Sequence, residues 1–259
     1  MTAVRAGAWL AAAACVGDAA WAQDPLATRA GWEVGGQLAQ YRYEEPGTMS
    51  LEGTRLGVSG AYTAVTPRRA FARLEGRWSF AALDYQGSGV LTDVPDYILE
   101  LRLLAGRDYA YGGLRWAPYV GVAYRYLYND LRGVSSSGAV GYQRESNYFY
   151  LPMGVTLRMP VAEAWVLAPQ LEYDVFVRGV QRSYLSDTGL GYGDVSNQQS
   201  SGRGYRVQLM FEARHWTVGP WMHYWDIKDS DVQSIGMGRA GQEPANWTRE
   251  AGLELRYRF

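Results

Sequence analysis

The chain of 259 residues has a single cysteine, Cys15, a single lysine, Lys228, and two histidines. Its net charge is −1, from 25 Lys and Arg against 26 Asp and Glu. After residue 22 no apolar run approaches the roughly 20 residues of a membrane-spanning helix, and no helical apolar period is sustained. Each scarcity excludes something. Without a broad basic field there is no electrostatic footprint for nucleic acid. Two histidines and one cysteine are too few for a transition-metal cluster, so no metal and no cofactor are expected. With one lysine, positive charge is almost all guanidinium, which favours fixed, hydrogen-bonded ion pairs over solvated surface charge.

What the chain does have is aromatic: 20 Tyr and 10 Trp against 6 Phe. Tyr and Trp pair an apolar body with a polar tip. The N-terminus reads as a secretory signal, with Arg5, a short apolar stretch from Ala6 to Val16, and Ala20-Trp21-Ala22 as a small-x-small cleavage site before Gln23. The expected division is therefore a cleaved signal, 1–22, and one domain, 23–259. Ala12-Ala13-Ala14-Cys15 is a weaker match to a lipoprotein processing box. Cleavage after Ala22 would leave no cysteine, and no disulfide would contribute to stability.

Period-two segments recur along the rest, separated by Gly, Ser, Asn, Asp and Pro clusters. Ten are expected, near 32–45, 52–64, 71–85, 96–107, 114–129, 146–159, 165–179, 204–214, 217–228 and 247–259. Their length suits a tilted strand crossing a bilayer, which needs about nine to eleven residues; strands of soluble domains are mostly nearer five or six. Connections after strands 2, 4, 6 and 8 are short. Those after strands 3, 5, 7 and 9 are expected to be long and polar, as in SSSGAVGYQR and GDVSNQQSSGRG. Short turns at one end and long loops at the other describe a transmembrane antiparallel up-and-down β-barrel, with turns in the periplasm and loops outside.

The faces point the same way. In strand 3, Ala72, Leu74, Trp78 and Phe80 alternate with Arg73, Glu75, Arg77 and Ser79. Strand 4 sets Leu99, Leu101 and Leu103 against Glu100 and Arg102, and strand 8 sets Val207, Leu209 and Phe211 against Arg206, Glu212 and Arg214. Strand 7 opposes Leu171, Tyr173 and Val175 to Glu172 and Asp174. Charges of both signs on one face of nearly every strand fit a narrow lumen in which they pair. Arg125 and Arg158 join that expected network. The apolar face then meets lipid, and closure follows because an open edge in hydrocarbon leaves backbone groups unsatisfied. Aromatics near strand ends read as girdles: Trp32, Tyr62, Phe71, Trp116, Trp165 and Trp216 at the turn end, and Tyr43, Tyr85, Tyr128, Tyr148, Tyr150 and Trp225 at the loop end. Strand 1 shows a register slip between Leu38 and Tyr41, and Pro152 suggests a local bulge.

The last strand is GLELRYRF. Leu253, Leu255, Tyr257 and the terminal Phe259 resemble the C-terminal recognition signal of bacterial outer-membrane β-barrel proteins. That resemblance implies insertion by the barrel-assembly machinery and a Gram-negative outer membrane, with lipopolysaccharide as surroundings. Ten-stranded omptin proteases in that class use paired Asp residues and an Asp-x-His couple at the outer rim. This chain offers Asp229-Ser230-Asp231 and His223 but no Asp-x-His. Lipid A deacylase-like barrels use His-x-Ser, for which His215-Trp216-Thr217 is the nearest match. The expectation is a barrel with no catalytic residues, acting as a structural element or binding an unidentified ligand through its outer loops as opacity-type adhesins do. A narrow channel for small solutes is the alternative, since wide aqueous pores belong to about sixteen strands, and an omptin-like or lipid-modifying hydrolase at the outer rim is the second alternative.

Overall fold

A computed structural model describes residues 24–259; the expected signal segment lies outside the described residues. The strands are β1 (Gly31–Glu45), β2 (Met49–Val65), β3 (Ala70–Gly87), β4 (Gly89–Arg107), β5 (Tyr109–Tyr111), β6 (Leu114–Asp130), β7 (Gln143–Ala162), β8 (Trp165–Ser183), β9 (Val195–Gln199), β10 (Gly202–Glu212), β11 (Trp216–Ile227), β12 (Val232–Gly236), β13 (Arg239–Gln242) and β14 (Asn246–Arg258). Ten of them close a barrel in the order β1-β2-β3-β4-β6-β7-β8-β10-β11-β14. Every neighbouring pair is antiparallel, and β14 returns to β1 with Leu38 opposite Leu253. No edge is left, which is what a sheet in hydrocarbon requires. β5 extends the turn before β6, β9 continues the edge of β8 beyond β10, and β12 and β13 form a separate hairpin.

Prolines are accommodated by one rule. A proline has no N–H to give to a ladder, and Pro95, Pro118, Pro152, Pro169 and Pro220 are each paired on one flank only. Pro152 pairs with Asp174 of β8, whereas the β6–β7 ladder passes from Val120–Met153 to Ala123–Tyr150 without it. Pro220 pairs with Leu253 and falls in a gap of the β10–β11 ladder. The expected bulge is therefore not at Pro152; the register shift of this region lies in the facing strand, at Val177.

The polarity of the wall inverts along the barrel. From the turn end to about mid-height, outward positions are apolar, with Val34, Leu38, Leu56, Leu74, Leu101 and Leu209 all exposed. Inward positions there are charged and buried: Glu33, Arg77, Arg102, Glu172, Arg206 and Glu212. Toward the loop end, Glu52, Asp84, Arg182 and Arg203 take the outer side. Tyr41, Leu51, Leu83, Ile98, Leu127 and Trp225 are buried inside. The strands, of 15 to 20 residues from β1 to β8 apart from the short β5, outrun a hydrocarbon core that needs about ten. Their upper parts obey the ordinary rule for protein in water.

This inversion corrects several expectations. Strand 1 does not slip: its pairing with β2 is continuous, and Tyr41 and Tyr43 are simply inward positions above the apolar band. Tyr43, Tyr148, Tyr150 and Trp225 face the interior rather than an outer girdle, and Phe71 is buried inside the turn end. Trp32, Tyr62, Trp116, Trp165 and Trp216 do face outward at the turn end. The connection after strand 3 is not a long polar loop, because β3 and β4 run on as one projecting hairpin around Ser88.

The inversion sets an expected outcome. A nitroxide at Leu101 in lipid vesicles should collide with oxygen and be shielded from aqueous nickel, and one at Asp84 should show the reverse. Equal nickel accessibility at both positions would remove the apolar band from lipid.

Candidate functional site in the barrel lumen

The lumen is filled in three storeys. The one nearest the loop end is apolar. Leu51, Leu83, Ile98, Trp225 and Ile227 have 1% or less of their surface exposed. Tyr150 packs edge-on against the Trp225 indole at 4.9 Å between ring centroids, and Phe176 at 6.4 Å. Gly204, opposite Trp225 in the ladder, makes this possible: a Cβ there would lie 3.0 Å from the indole and 2.9 Å from Asp174 Oδ2. Just beneath, the Arg55 guanidinium lies 4.3 Å from the centre of the Tyr41 ring and pairs with Asp96, which also accepts from Asn129.

The middle storey is a buried ion-pair lattice. Glu250 accepts two bonds from Arg77, at 2.7 and 3.1 Å, and one from Arg125 at 3.0 Å. Glu100 accepts from Arg206 at 2.8 Å and from the Tyr150 hydroxyl at 2.7 Å. His223 is wedged between Asp174 and Arg206. Its Nε2 lies 2.9 Å from Asp174 Oδ2, and its Nδ1 lies 3.2 Å from an Arg206 nitrogen. Since Arg can only donate, Nδ1 accepts, and Nε2–H donates to Asp174. Glu172 links this storey to the next through Arg102 and Arg206.

The turn-end storey is looser. Arg73 bridges Glu33 and Glu75 at 2.5 and 2.6 Å, and Arg102 reaches the same Glu75 at 2.6 Å. Arg158 and Arg29 share Glu212, at 3.1 and 3.4 Å. Arg258 pairs with Glu33. Segment 24–30 folds across the mouth. Thr28 donates through N–H and Oγ1 to the two oxygens of Asp108, at 2.8 and 2.7 Å. Above this segment lies a cavity of about 110 Å³.

Of the residues expected to form the lumen network, Arg73, Glu75, Arg77, Glu100, Arg102, Arg125, Arg158, Glu172, Asp174, Arg206 and Glu212 are placed in these storeys. Arg214 is placed elsewhere: β10 ends at Glu212, and Arg214 is exposed in the turn that follows. Leu253 and Leu255 are exposed on the outward side of β14, and Phe259, one residue past its end, is exposed as well. Sequence reading missed Arg55, Asp96, Arg144, Glu45, Glu243 and Glu250. Strict alternation within β2 from Ser59 would have reached Arg55, and within β14 from Glu254 would have reached Glu250. Glu243 sits in a loop with no period to betray it. Asp229 is exposed, whereas His223 is buried below Trp225, so the two do not form one site. Among the described residues no group of His, Cys, Asp and Glu is arranged to hold a metal.

No protein-family model matches the chain, and no curated protein sequence matches it. Solved structures do. The outer-membrane protease OmpT from Escherichia coli superposes with a TM-score of 0.56 at 11% identity, covering 88% of this chain and 97% of that one. Neisserial surface protein A matches at 0.36 and 11%, covering 88% and 97%. A major outer-membrane protein from Thermus thermophilus matches at 0.38 and 13%, covering 88% and 99%. The OmpT likeness carries the fold. With the closed register and the lipid-type band, it makes this chain a ten-stranded antiparallel β-barrel of the bacterial outer-membrane kind, with no single family within that kind assigned.

Proposed function

We propose that the chain is a closed, non-conducting and non-enzymatic barrel of the Gram-negative outer membrane that presents a rigid loop platform for binding at the cell surface. In this reading the segment 1–22 is the export signal. Leu253, Leu255, Tyr257 and Phe259 are read by the barrel-assembly machinery, and lipopolysaccharide surrounds the outer half. The observation that carries the proposal is the apolar plug: a lumen filled by Leu51, Leu83, Ile98 and Trp225 leaves a hydrated ion no path to the loop end.

The loops support the rest. They are strapped to one another rather than hanging free. Ser135 and Ser137 donate to the Ser88 carbonyl at the β3–β4 tip, at 2.7 and 2.6 Å. The Ser136 N–H donates to the Val90 carbonyl at 3.0 Å. The β12–β13 hairpin is tied to β9 through the Asp231 N–H and the Gln198 carbonyl, at 2.9 Å. Asn197 donates to the Asp231 carbonyl at 2.8 Å. On this platform Val134, Leu190, Val232 and Met237 are each about 60% exposed or more. Large apolar side chains on a water-facing surface are what a recognition surface offers, and rigid scaffolds with exposed loops are where binding tends to sit.

A clamp holds the platform down. Arg144 pairs with both Glu45, at 2.6 Å, and Glu243, and the Tyr43 hydroxyl donates to Glu45 at 2.7 Å. Burial pushes the Glu243 carboxyl up from its ordinary 4.5 to about 7; Arg144 opposes the rise and Glu45 adds to it. The folded protein thus binds a proton here more readily than the unfolded chain. Stability from this site is full below about pH 4.5 and is lost as pH rises through about 7.

Three outcomes are expected. In planar bilayers the protein should give no conductance steps; regular steps would establish the narrow channel instead. Replacing Trp225 by Ala should lower unfolding stability by about 3–5 kcal/mol, read as an earlier denaturant midpoint. A spin label at Met237 should gain mobility between pH 5.5 and 8, and Glu243→Gln should flatten that response. For the binding role itself, cells displaying the protein should adhere to an array of immobilised glycans and extracellular proteins. Replacing Val134, Leu190, Val232 and Met237 together by Ser should abolish that adherence, and unchanged adherence would remove the platform from the account.

A further inference from the structure

The outward charges above the apolar band are sorted by side. Toward the loop end, β2, β3, β6 and β7 present Glu52, Asp84, Asp130 and Glu145 outward, all acidic. β1, β8, β10 and β14 present Arg42, Arg178, Arg182, Arg203 and Arg249, against Glu44 on β1 and Asp226 on β11. Neither the apolar plug nor the loop straps require such a division, since both are built from other residues. In a chain of net charge −1, it gives one flank of the wall a positive field of its own at the boundary of hydrocarbon and water.

Arg249 is the centre of that flank. In the ladder it stands directly opposite Arg42 on one side and Tyr224 on the other. Like charges directly opposite are destabilising. Arg42 is relieved by Glu44 at 2.8 Å and Glu52 at 3.1 Å, and its guanidinium lies 5.8 Å from the centre of the Trp247 ring. Arg203 and Lys228 share Asp226, at 3.2 and 3.0 Å. Arg249 is exposed, and among the described residues it has no carboxylate partner. Immediately below it along β14 the outward side turns apolar, with Ala251 and then Leu253; Met222 faces Ala251 across the ladder, and Leu38 faces Leu253. The Tyr224 and Trp247 rings stack beside it at 6.3 Å between centroids, as aromatics at a membrane–water boundary do.

We propose that this flank, formed by β10, β11, β14 and β1, binds the phosphate of a phosphorylated glycolipid in the leaflet at the loop end. Arg249 and Arg42 hold the phosphate, Arg203 and Lys228 stand at its edge, and acyl chains lie on Leu38, Met222 and Leu253. The inference rests on the membrane placement proposed above. Neighbouring strands are about 4.8 Å apart, so the two guanidinia can share one phosphate, and their repulsion becomes a paired attraction. Guanidinium–phosphate bonds are charge-assisted and often bidentate. The apolar floor directly beneath selects a phosphate carried on acyl chains over a free ion. The flat Tyr224–Trp247 face and the Glu44 and Glu52 acceptors suit a sugar next to that phosphate, and the acidic flank repels the same group.

The test uses the full mature chain refolded in zwitterionic detergent micelles. It is titrated with a diphosphorylated disaccharide lipid (lipid A), with the same lipid after removal of its phosphates, and with inorganic phosphate. Heat-modifiable gel mobility confirms that each variant is folded, and the midpoint temperature at which it is lost reports binding. A saturable rise in midpoint with lipid A is expected, with little from the dephosphorylated lipid or from phosphate alone. Arg249→Gln should weaken binding by about ten-fold, in line with loss of one charge-assisted bond, and Arg249→Gln combined with Arg203→Gln should weaken it further. Asp84→Asn, on the acidic flank, should leave it unchanged, and a loss there equal to that of Arg249→Gln would overturn the site. So would equal responses to phosphorylated and dephosphorylated lipid, an equal response to inorganic phosphate, or wild-type affinity in the folded double variant. Oxidative cross-linking of Arg249→Cys in one copy to Asp84→Cys in another, without lipid, would assign the flank to self-association and overturn it as well. A nitroxide at Leu101 tests membrane placement separately: phosphate selectivity lost with Leu101 still shielded removes this site alone.

Discussion

Hydrocarbon supplies no hydrogen bonds, and the barrel is a response to that one deficit. Backbone groups in the band are satisfied only if the sheet closes on itself, and β14 meets β1 residue for residue. Side chains facing the band are apolar, so the charged positions of every strand turn inward. The same alternation that faces Leu101 to lipid forces Glu100 and Arg102 into the lumen. The interior is ionic because the exterior is not.

Forcing charges inward has its own cost. Buried ions lose hydration, and a pair recovers it only with good geometry and further hydrogen bonds. The lattice meets that condition in the middle of the barrel, where Glu250 accepts from two arginines and Glu100 from an arginine and a tyrosine. At the turn end Arg73 bridges Glu33 and Glu75, and Arg158 pairs with Glu212. Once the strands leave the band the deficit disappears, and the chain reverts to an apolar interior with a wet exterior. That reversal packs Leu51, Leu83, Ile98 and Trp225 into the loop end of the lumen.

Fold and band were legible because they follow from a period of two, which is a local property. Each strand carries its own faces, and Leu99, Leu101 and Leu103 against Glu100 and Arg102 need no other strand to be read. Girdle aromatics were less legible. Tyr43, Tyr148 and Trp225 have the composition of an interface but the parity of the interior, and their height along the barrel decides between the two. Arg214 failed in the same way: it continues the alternation of β10 for one step after the strand has already ended.

Sequence by itself determined the class of the molecule: ten alternating strands, too long for water alone, with an apolar face and a face of paired charges. Those are consequences of backbone geometry and side-chain polarity, which act within a single strand. Tertiary structure alone decided which charges meet, that Gly204 leaves room for Trp225, and that Glu45, Arg144 and Glu243 converge. Partners in a barrel come from strands far apart in the chain. Their heights depend on tilt and register, and no local pattern encodes those.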